Sequence, residues 1–324
     1  EENAVELELK HGKTYTTAVC RLRYDRRTAQ KHVRARTDGI RAGEERARIE
    51  QRILKLAFYR AALDVGVPKP EWGCLTGVRP AKFLAGLMQK DGLTETAAVR
   101  MLTETFGVSK ERASLALAAE RAAARAKAAL APQDVCLYIG IPFCPTRCAY
   151  CSFVSVDAPK LLKSIPDYLN ALEQEMRSTA AAVKAAWRRV GAVYIGRGTP
   201  TTLSAPEPDR LLADTKACFD LSACREFTVE AGRPDTVTEE KLAVLVSHGV
   251  NRVSVNPQTM SDAVLEAIGR YHTVAEVREA VAMVKKFPQL AFNMDLIAGL
   301  PGDTPETFAD TMREVIALGA ENIT

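Results

Sequence analysis

From residue 135 onward the chain alternates between short apolar runs and longer segments of helical period. The runs are Cys136 to Ile141, Ala192 to Ile195, Glu226 to Glu230, Arg252 to Val255 and Ala291 to Leu296, all of strand length. Between and after them lie amphipathic segments at Pro166 to Arg188, Pro208 to Phe219, Thr238 to His248, Val274 to Lys286 and Pro305 to Leu318. Ser164, with Asp167 three residues later, reads as a capping box for the first of these helices. Five strand–helix repeats in succession predict a parallel sheet with helical crossovers. The periodicity fits an open sheet and a barrel equally, and in both the chemistry sits at the carboxyl ends of the strands.

The first 130 residues follow another pattern. Val5 to Leu9 alternates and Tyr15 to Leu22 is β-rich, with a His11-Gly12 turn signal between them, which predicts a hairpin. Glu44 to Leu63, Pro80 to Gln89, Thr94 to Phe106 and the Ala-rich Ser109 to Leu130 read as helices, the last stopped by Pro132. The expected organisation is a mostly helical α+β domain over 1–132 and an α/β domain over 133–324. Both ends read as cut. The chain opens on Glu1 without a signal peptide and stops at Asn322-Ile323-Thr324, where a sixth strand begins.

Composition narrows the class. With 324 residues, 47% hydrophobic and 26% charged, the chain has the profile of an ordinary globular protein. No apolar run approaches the roughly 18 residues of a membrane span, so no membrane partner is expected. A net charge of +4 is too small to imply a polyanion. Arg21 to Arg60 carries 13 Lys/Arg against 5 Asp/Glu. Such a run is usually a solvated face, although it could also attract nucleic acid or a substrate with four carboxylates. Scarce aromatics argue against nucleic acid.

The eight cysteines are too few for a disulfide scaffold, and three of them, Cys144, Cys148 and Cys151, lie within eight residues. A reducing, cytoplasmic setting is the matching expectation. Cys144-x3-Cys148-x2-Cys151 begins where the first strand of the repeat ends. Three thiolates at this spacing can hold three irons of a [4Fe–4S] cluster and leave the fourth iron open for a ligand. Buried unpaired thiols or part of a zinc site are the alternatives, but zinc favours paired halves or a nearby His. Cys20, Cys74, Cys136, Cys218 and Cys224 read as small core hydrophobes, and His272 as structural.

The cysteine spacing on the first βα loop resembles the radical S-adenosylmethionine (SAM) superfamily. The segments Pro142-Phe143-Cys144, Gly196-Arg197-Gly198-Thr199-Pro200-Thr201, Asn251 to Thr259 and Asp295 to Gly302 resemble the oxygen-independent coproporphyrinogen III oxidase family. Trp72-Gly73-Cys74-Leu75-Thr76-Gly77-Val78-Arg79-Pro80 is similar to its HemZ branch. The resemblance implies a partial parallel (β/α)6-type barrel, here truncated after five βα units, with a [4Fe–4S] cluster and SAM as cofactors and an electron donor for the cluster. It implies Cys144, Cys148 and Cys151 as cluster ligands. It implies Tyr138, Tyr150, Gly196, Gly198, Thr199, Glu230, Gln258, Arg270 and Asp295 as SAM contacts. Each of these could separately be an ordinary strand-end residue, a cap or a surface charge.

The implied reaction starts with a 5′-deoxyadenosyl radical that takes hydrogen from a propionate β-carbon of coproporphyrinogen III. Loss of carbon dioxide and one electron leaves a vinyl group, and two such steps give protoporphyrinogen IX without oxygen. A haem-binding chaperone of the same family and a methyltransferase acting on a tetrapyrrole are the other readings. Two positions depart from the family pattern: Phe153 stands where the oxidases carry a further Cys, and Arg197 where the family has Gly. Arg197 is expected to take negative φ with its side chain turned away, which leaves the backbone contacts intact; a left-handed φ that weakens SAM binding and a guanidinium that pairs with a substrate carboxylate are the other readings.

Overall fold

Three antiparallel strands open the chain: β1 (Ala4–His11), β2 (Tyr15–Tyr24) and β3 (Arg27–Arg36), in the order β1-β2-β3. The computed structural model describes residues 3–40, 43–153, 156–157, 162–204 and 206–324; Arg41 of the basic stretch lies outside them. The expected hairpin is present, and β3 extends it. That strand escaped the sequence pattern because only Val33 along its length is buried. Its turn, Asp25-Arg26, has φ of +46° and +63°. These are values of a two-residue hairpin turn that Gly or Asn normally marks.

One face of this sheet packs Ala18, Cys20 and Val33 against α1 (Glu44–Asp64), which contributes Ile53, Leu56, Ala57 and Ala61. The helices α2 (Pro80–Gln89), α3 (Glu95–Arg100, prolonged by a π turn to Thr105) and α4 (Lys110–Ala128) complete this unit. Thr94 and Ser109 cap α3 and α4, accepting from the backbone N–H of Ala97 and Arg112 at 3.3 and 3.2 Å. The chain divides into two units, Glu1–Ala129 and Leu130–Thr324.

The second unit runs β4 (Asp134–Ile141), β5 (Phe143–Cys144), β6 (Val156–Asp157), α5 (Ile165–Ala185), β7 (Arg189–Arg197), α6 (Pro206–Cys218), β8 (Glu226–Glu230) and α7 (Glu239–Ser247). It continues with β9 (Arg252–Ser254), α8 (Asp262–Ala267), α9 (Val274–Lys285), β10 (Ala291–Met294), α10 (Pro305–Ala317) and β11 (Asn322–Ile323). Six strands form one sheet in the order β4-β7-β8-β9-β10-β11, and the pairings between them are parallel. Strand order that follows chain order is barrel-like; a doubly wound sheet reverses at its middle. The sixth strand expected to begin at Asn322 is present beside the five βα units, pairing Asn293 with Asn322 and Met294 with Ile323.

Register sorts the residues by face. Leu137, Ile139, Ile141, Val193, Ile195, Phe227, Val229, Val253, Phe292 and Met294 join one core with the helices. Alternate positions, Tyr138, Tyr194, Glu230, Ser254 and Asn293, share the opposite face. Cys136 lies on that second face and is exposed, not in the core as expected. The capping box at Ser164 is also absent. Ser164 has helical φ and ψ of −91° and −8° at the end of a 3-10 turn, and its hydroxyl caps nothing. The reciprocal box occurs at Thr273 and Glu276, ahead of α9.

Candidate functional site

The cysteine loop leaves the carboxyl end of β4 and is fastened on two sides. Ala149 N–H donates to Ile268 O at 2.9 Å, and Gly198 N–H and Thr199 N–H donate to Ile141 O and Phe143 O at 2.9 and 2.7 Å. Thr199 Oγ1 also lies 3.6 Å from Cys144 Sγ. Gly198 has no room for a side chain, because a Cβ there would stand 2.5 and 2.6 Å from the Ile141 and Phe143 carbonyl oxygens. The glycine expected to admit a ligand thus admits the cysteine loop itself. Gly196 is constrained by side chains instead. Its Cβ would meet the Tyr194 ring at 2.6 Å and the Glu230 carboxyl at 2.7 Å.

Cys144, Cys148 and Cys151 are unbridged and partly buried. Burial pushes the Cys144 thiol up, and the Thr199 hydroxyl works against that. Two buried arginines stand at this loop. Arg233 donates from Nη1 to Thr146 Oγ1 at 2.9 Å and pairs with Asp235 at 3.2 Å. Arg270 donates to Asn256 O and Gly232 O, both at 2.7 Å.

Glu230, at the end of β8, accepts from Tyr194 Oη and from Arg197 N–H at 3.1 Å. Burial raises its pKa, those two donors oppose the shift, and Asp295 adds to it. Tyr138 stacks on Tyr194 with centroids 5.6 Å apart and planes at 10°. Burial, together with Glu230, pushes both phenols up, and burial also raises Tyr150 beside Arg270 and Cys148. Asp295 accepts from Asn293 Nδ2 at 2.7 Å. Gln258 is held at φ +71°. Its N–H donates to Asp295 O and its carbonyl accepts from Ile297 N–H, both at 3.0 Å.

The structure therefore gathers Tyr138, Gly196 and Glu230 in one group, and Gly198 and Thr199 with the cysteines. Gln258 and Asp295 form a third group. Arg270 gives its two terminal nitrogens to backbone carbonyls, which leaves Nε unpartnered. Arg197 is a clear correction. Its φ is +91°, and its side chain lies over Gly140, with Cδ 3.4 Å from where a Cβ would be. An arginine thus holds a left-handed backbone that glycine would adopt without steric cost.

Sequence reasoning missed Tyr194, although period-two spacing from Gly196 on the same strand marks it. It also missed Arg233, which no local motif flags. His272 is buried with both ring nitrogens unpartnered. Desolvation, then Arg270 and Arg233, push it down to about 3, so its imidazole is neutral.

Two observations test the fit to a cluster and SAM. Among the described residues no three His, Cys, Asp or Glu side chains converge on one point as single-ion ligands do. Cys144, Cys148 and Cys151, unbridged and partly buried on one loop, are the donor set that three irons of a cluster take. Ser254 Oγ, Asn256 Oδ1 and Arg270 Nε are buried without partners, so the site keeps hydrogen-bonding capacity for a polar ligand. The residues present fit both groups.

Comparison with known proteins agrees with this geometry. The model of the radical SAM superfamily matches residues 138–315. The chain is 38% identical over 257 residues to the oxygen-independent coproporphyrinogen-III oxidase-like protein HemZ of Bacillus subtilis, covering 78% of this chain and 51% of that protein. It is 36% identical over 189 residues to the haem chaperone HemW of Haemophilus influenzae, covering 58% and 49%. The structure of the coproporphyrinogen III oxidase HemN of Escherichia coli, a radical SAM enzyme, aligns with TM-score 0.53 and 28% identity. That alignment covers 63% of this chain and 47% of the other. The chain spans about half the length of the relatives it matches.

Proposed function

Because this chain belongs to the radical SAM superfamily, whose cofactors are a [4Fe–4S] cluster and SAM, we propose that it is the cofactor-binding part of an oxygen-independent coproporphyrinogen III decarboxylase. Such an enzyme converts propionate side chains to vinyl groups. The observation that carries the cofactor assignment is the fastening of the Gly198-Thr199 backbone onto the loop of Cys144, Cys148 and Cys151. The reaction itself is supported by similarity to the HemZ protein and to the coproporphyrinogen III oxidase structure.

In this reading the three cysteines would ligate three irons, and the bound cluster would supply the electron that cleaves SAM. Thr199 orients the Cys144 sulfur, and Arg233 and Arg270 balance the negative charge of the thiolates. Glu230, steadied by Tyr194, presents a carboxyl oxygen to donors on SAM. Gln258 and Asp295 hold the far side of the pocket. Tyr138, stacked on Tyr194, covers one face of its ring.

A second reading is a haem-binding chaperone of the same family. Phe153, 57% exposed where the oxidases carry a further Cys, and the similarity to HemW support it. Anaerobic incubation of the full-length protein with coproporphyrinogen III, SAM and a reductant, with products read by mass, separates the two. Decarboxylation predicts carbon dioxide and vinyl products, and loss of both, together with SAM cleavage, in Cys148→Ala but not in Cys218→Ala. Haem binding and transfer without vinyl products would replace the decarboxylase by the chaperone.

A further inference from the structure

The Trp72 to Pro80 segment, distinctive in the sequence, has no part in the chemistry at the parallel sheet. With α1 and α2 it walls a cavity of about 530 Å³ inside the first unit, a size typical of small-molecule sites. Its floor is apolar, from Ile49, Cys74, Leu75, Phe83, Leu87 and Phe106. Phe83 and Phe106 meet edge to face at 5.1 Å, which fixes the floor's shape.

The lining also carries five cations, Arg48, Arg52, Lys55, Lys82 and Lys90, against a single acid, Asp91. Arg48 is paired with Glu44 at 2.8 Å, and Lys55 Nζ donates to Thr76 O at 3.1 Å. Among the described residues the side chains of Arg52, Lys82 and Lys90 make no hydrogen bond or ion pair. An apolar floor beneath uncompensated cations is complementary to a ligand with an apolar body and several anionic arms.

We propose that this cavity is a second binding site, distinct from the cysteine pocket, for a tetrapyrrole carrying propionate groups. Its ring lies on the Phe83–Phe106 floor, and its carboxylates meet Arg52, Lys82 and Lys90. The choice of a tetrapyrrole rests on the proposed function; the charge and shape of the cavity do not. Four carboxylates on one ligand also account for a local excess of basic residues in a chain of low net charge.

Gly86 permits a clean test, because it lines the cavity and a Cβ there meets nothing within 4 Å. It lies inside α2, where replacing glycine favours the helix. Coproporphyrin III is titrated by fluorescence into the full-length protein carrying Cys144→Ala, which removes cluster chemistry from the measurement. Saturable binding is expected, weakened at least tenfold by Gly86→Trp, which fills the cavity, and by Lys82→Glu with Lys90→Glu, which reverses its charge. A porphyrin without carboxylates should bind at least tenfold more weakly. Titrations of both variants that superimpose on the parent's would overturn the proposal, as would equal binding of the uncharged porphyrin. Absence of decarboxylation in the separate turnover assay, with these binding differences intact, would count against the proposed reaction alone.

Discussion

The two larger sheets of this protein each pack one apolar face and carry polar residues on the other, yet the polar faces differ in kind. On the antiparallel sheet, alternate positions carry a ladder of exposed charges, such as Arg21 with Glu6 and Glu8 at 3.2 and 3.5 Å. One solvated face is the ordinary condition of such sheets. Parallel sheets are usually covered on both faces, but here the second face holds Tyr194, Glu230, Ser254 and Asn293, partly or fully buried and only partly satisfied. Polar groups withdrawn from water without complete pairing cost stability, and that cost persists where a ligand will complete the pairing. The contrast separates a surface that only meets water from one built to meet a molecule.

The comparison breaks most visibly in acid. His272 is neutral in the folded protein at about pKa 3, against an ordinary 6.5. A depressed folded value means the unfolded chain binds the proton first, so stability is complete above pH 6.5 and is lost as pH falls toward 3. Urea midpoints should show roughly 3 kcal/mol lost between pH 7 and pH 4 from this residue. His272→Leu should flatten that part of the curve; an unchanged slope would show that His272 is protonated at no cost.

Gly198→Ala should cost about 2 kcal/mol, since backbone carbonyls on the cysteine loop leave no room for the methyl group. Iron bound after anaerobic reconstitution should fall with it. Full loading in a variant of normal stability would mean the two loops separate freely. Arg197→Gly acts in the opposite direction. Relief of the left-handed strain, less the added freedom of the unfolded chain, should stabilise by up to about 1 kcal/mol. A loss of stability would show that the arginine side chain over Gly140 outweighs its backbone strain. The smallest effect belongs to the other sheet, where Arg21→Ala should change stability by less than about 0.5 kcal/mol. A larger change would give that charged face a role the present contrast denies it.

Much of the parallel domain was legible in the chain. Glu226–Glu230 and Val274–Lys285 match their expected spans to within a residue, because strand and helix periods are local properties. The cysteine loop was visible for the same reason: ligand spacing on one loop is a matter of consecutive residues. Strand β3 was not legible, since neither its polar residues nor its Asp25-Arg26 turn carries an apolar or glycine signal.

Sequence alone determined the alternation of strands and helices, the carboxyl-edge location of the cysteines and the candidate polar groups around them. Tertiary structure alone decided which of those groups meet. Tyr194 became the partner of Glu230, and Arg270 was spent on the carbonyls of Asn256 and Gly232. Gly198 was required by a neighbouring loop, and Arg197 was forced into a glycine's conformation. The contacts behind the Tyr194, Arg270 and Gly198 outcomes join residues 14 to 57 positions apart. Hydrophobic period is written along the chain, but hydrogen-bond partners and steric clearance exist only once distant strands are in register.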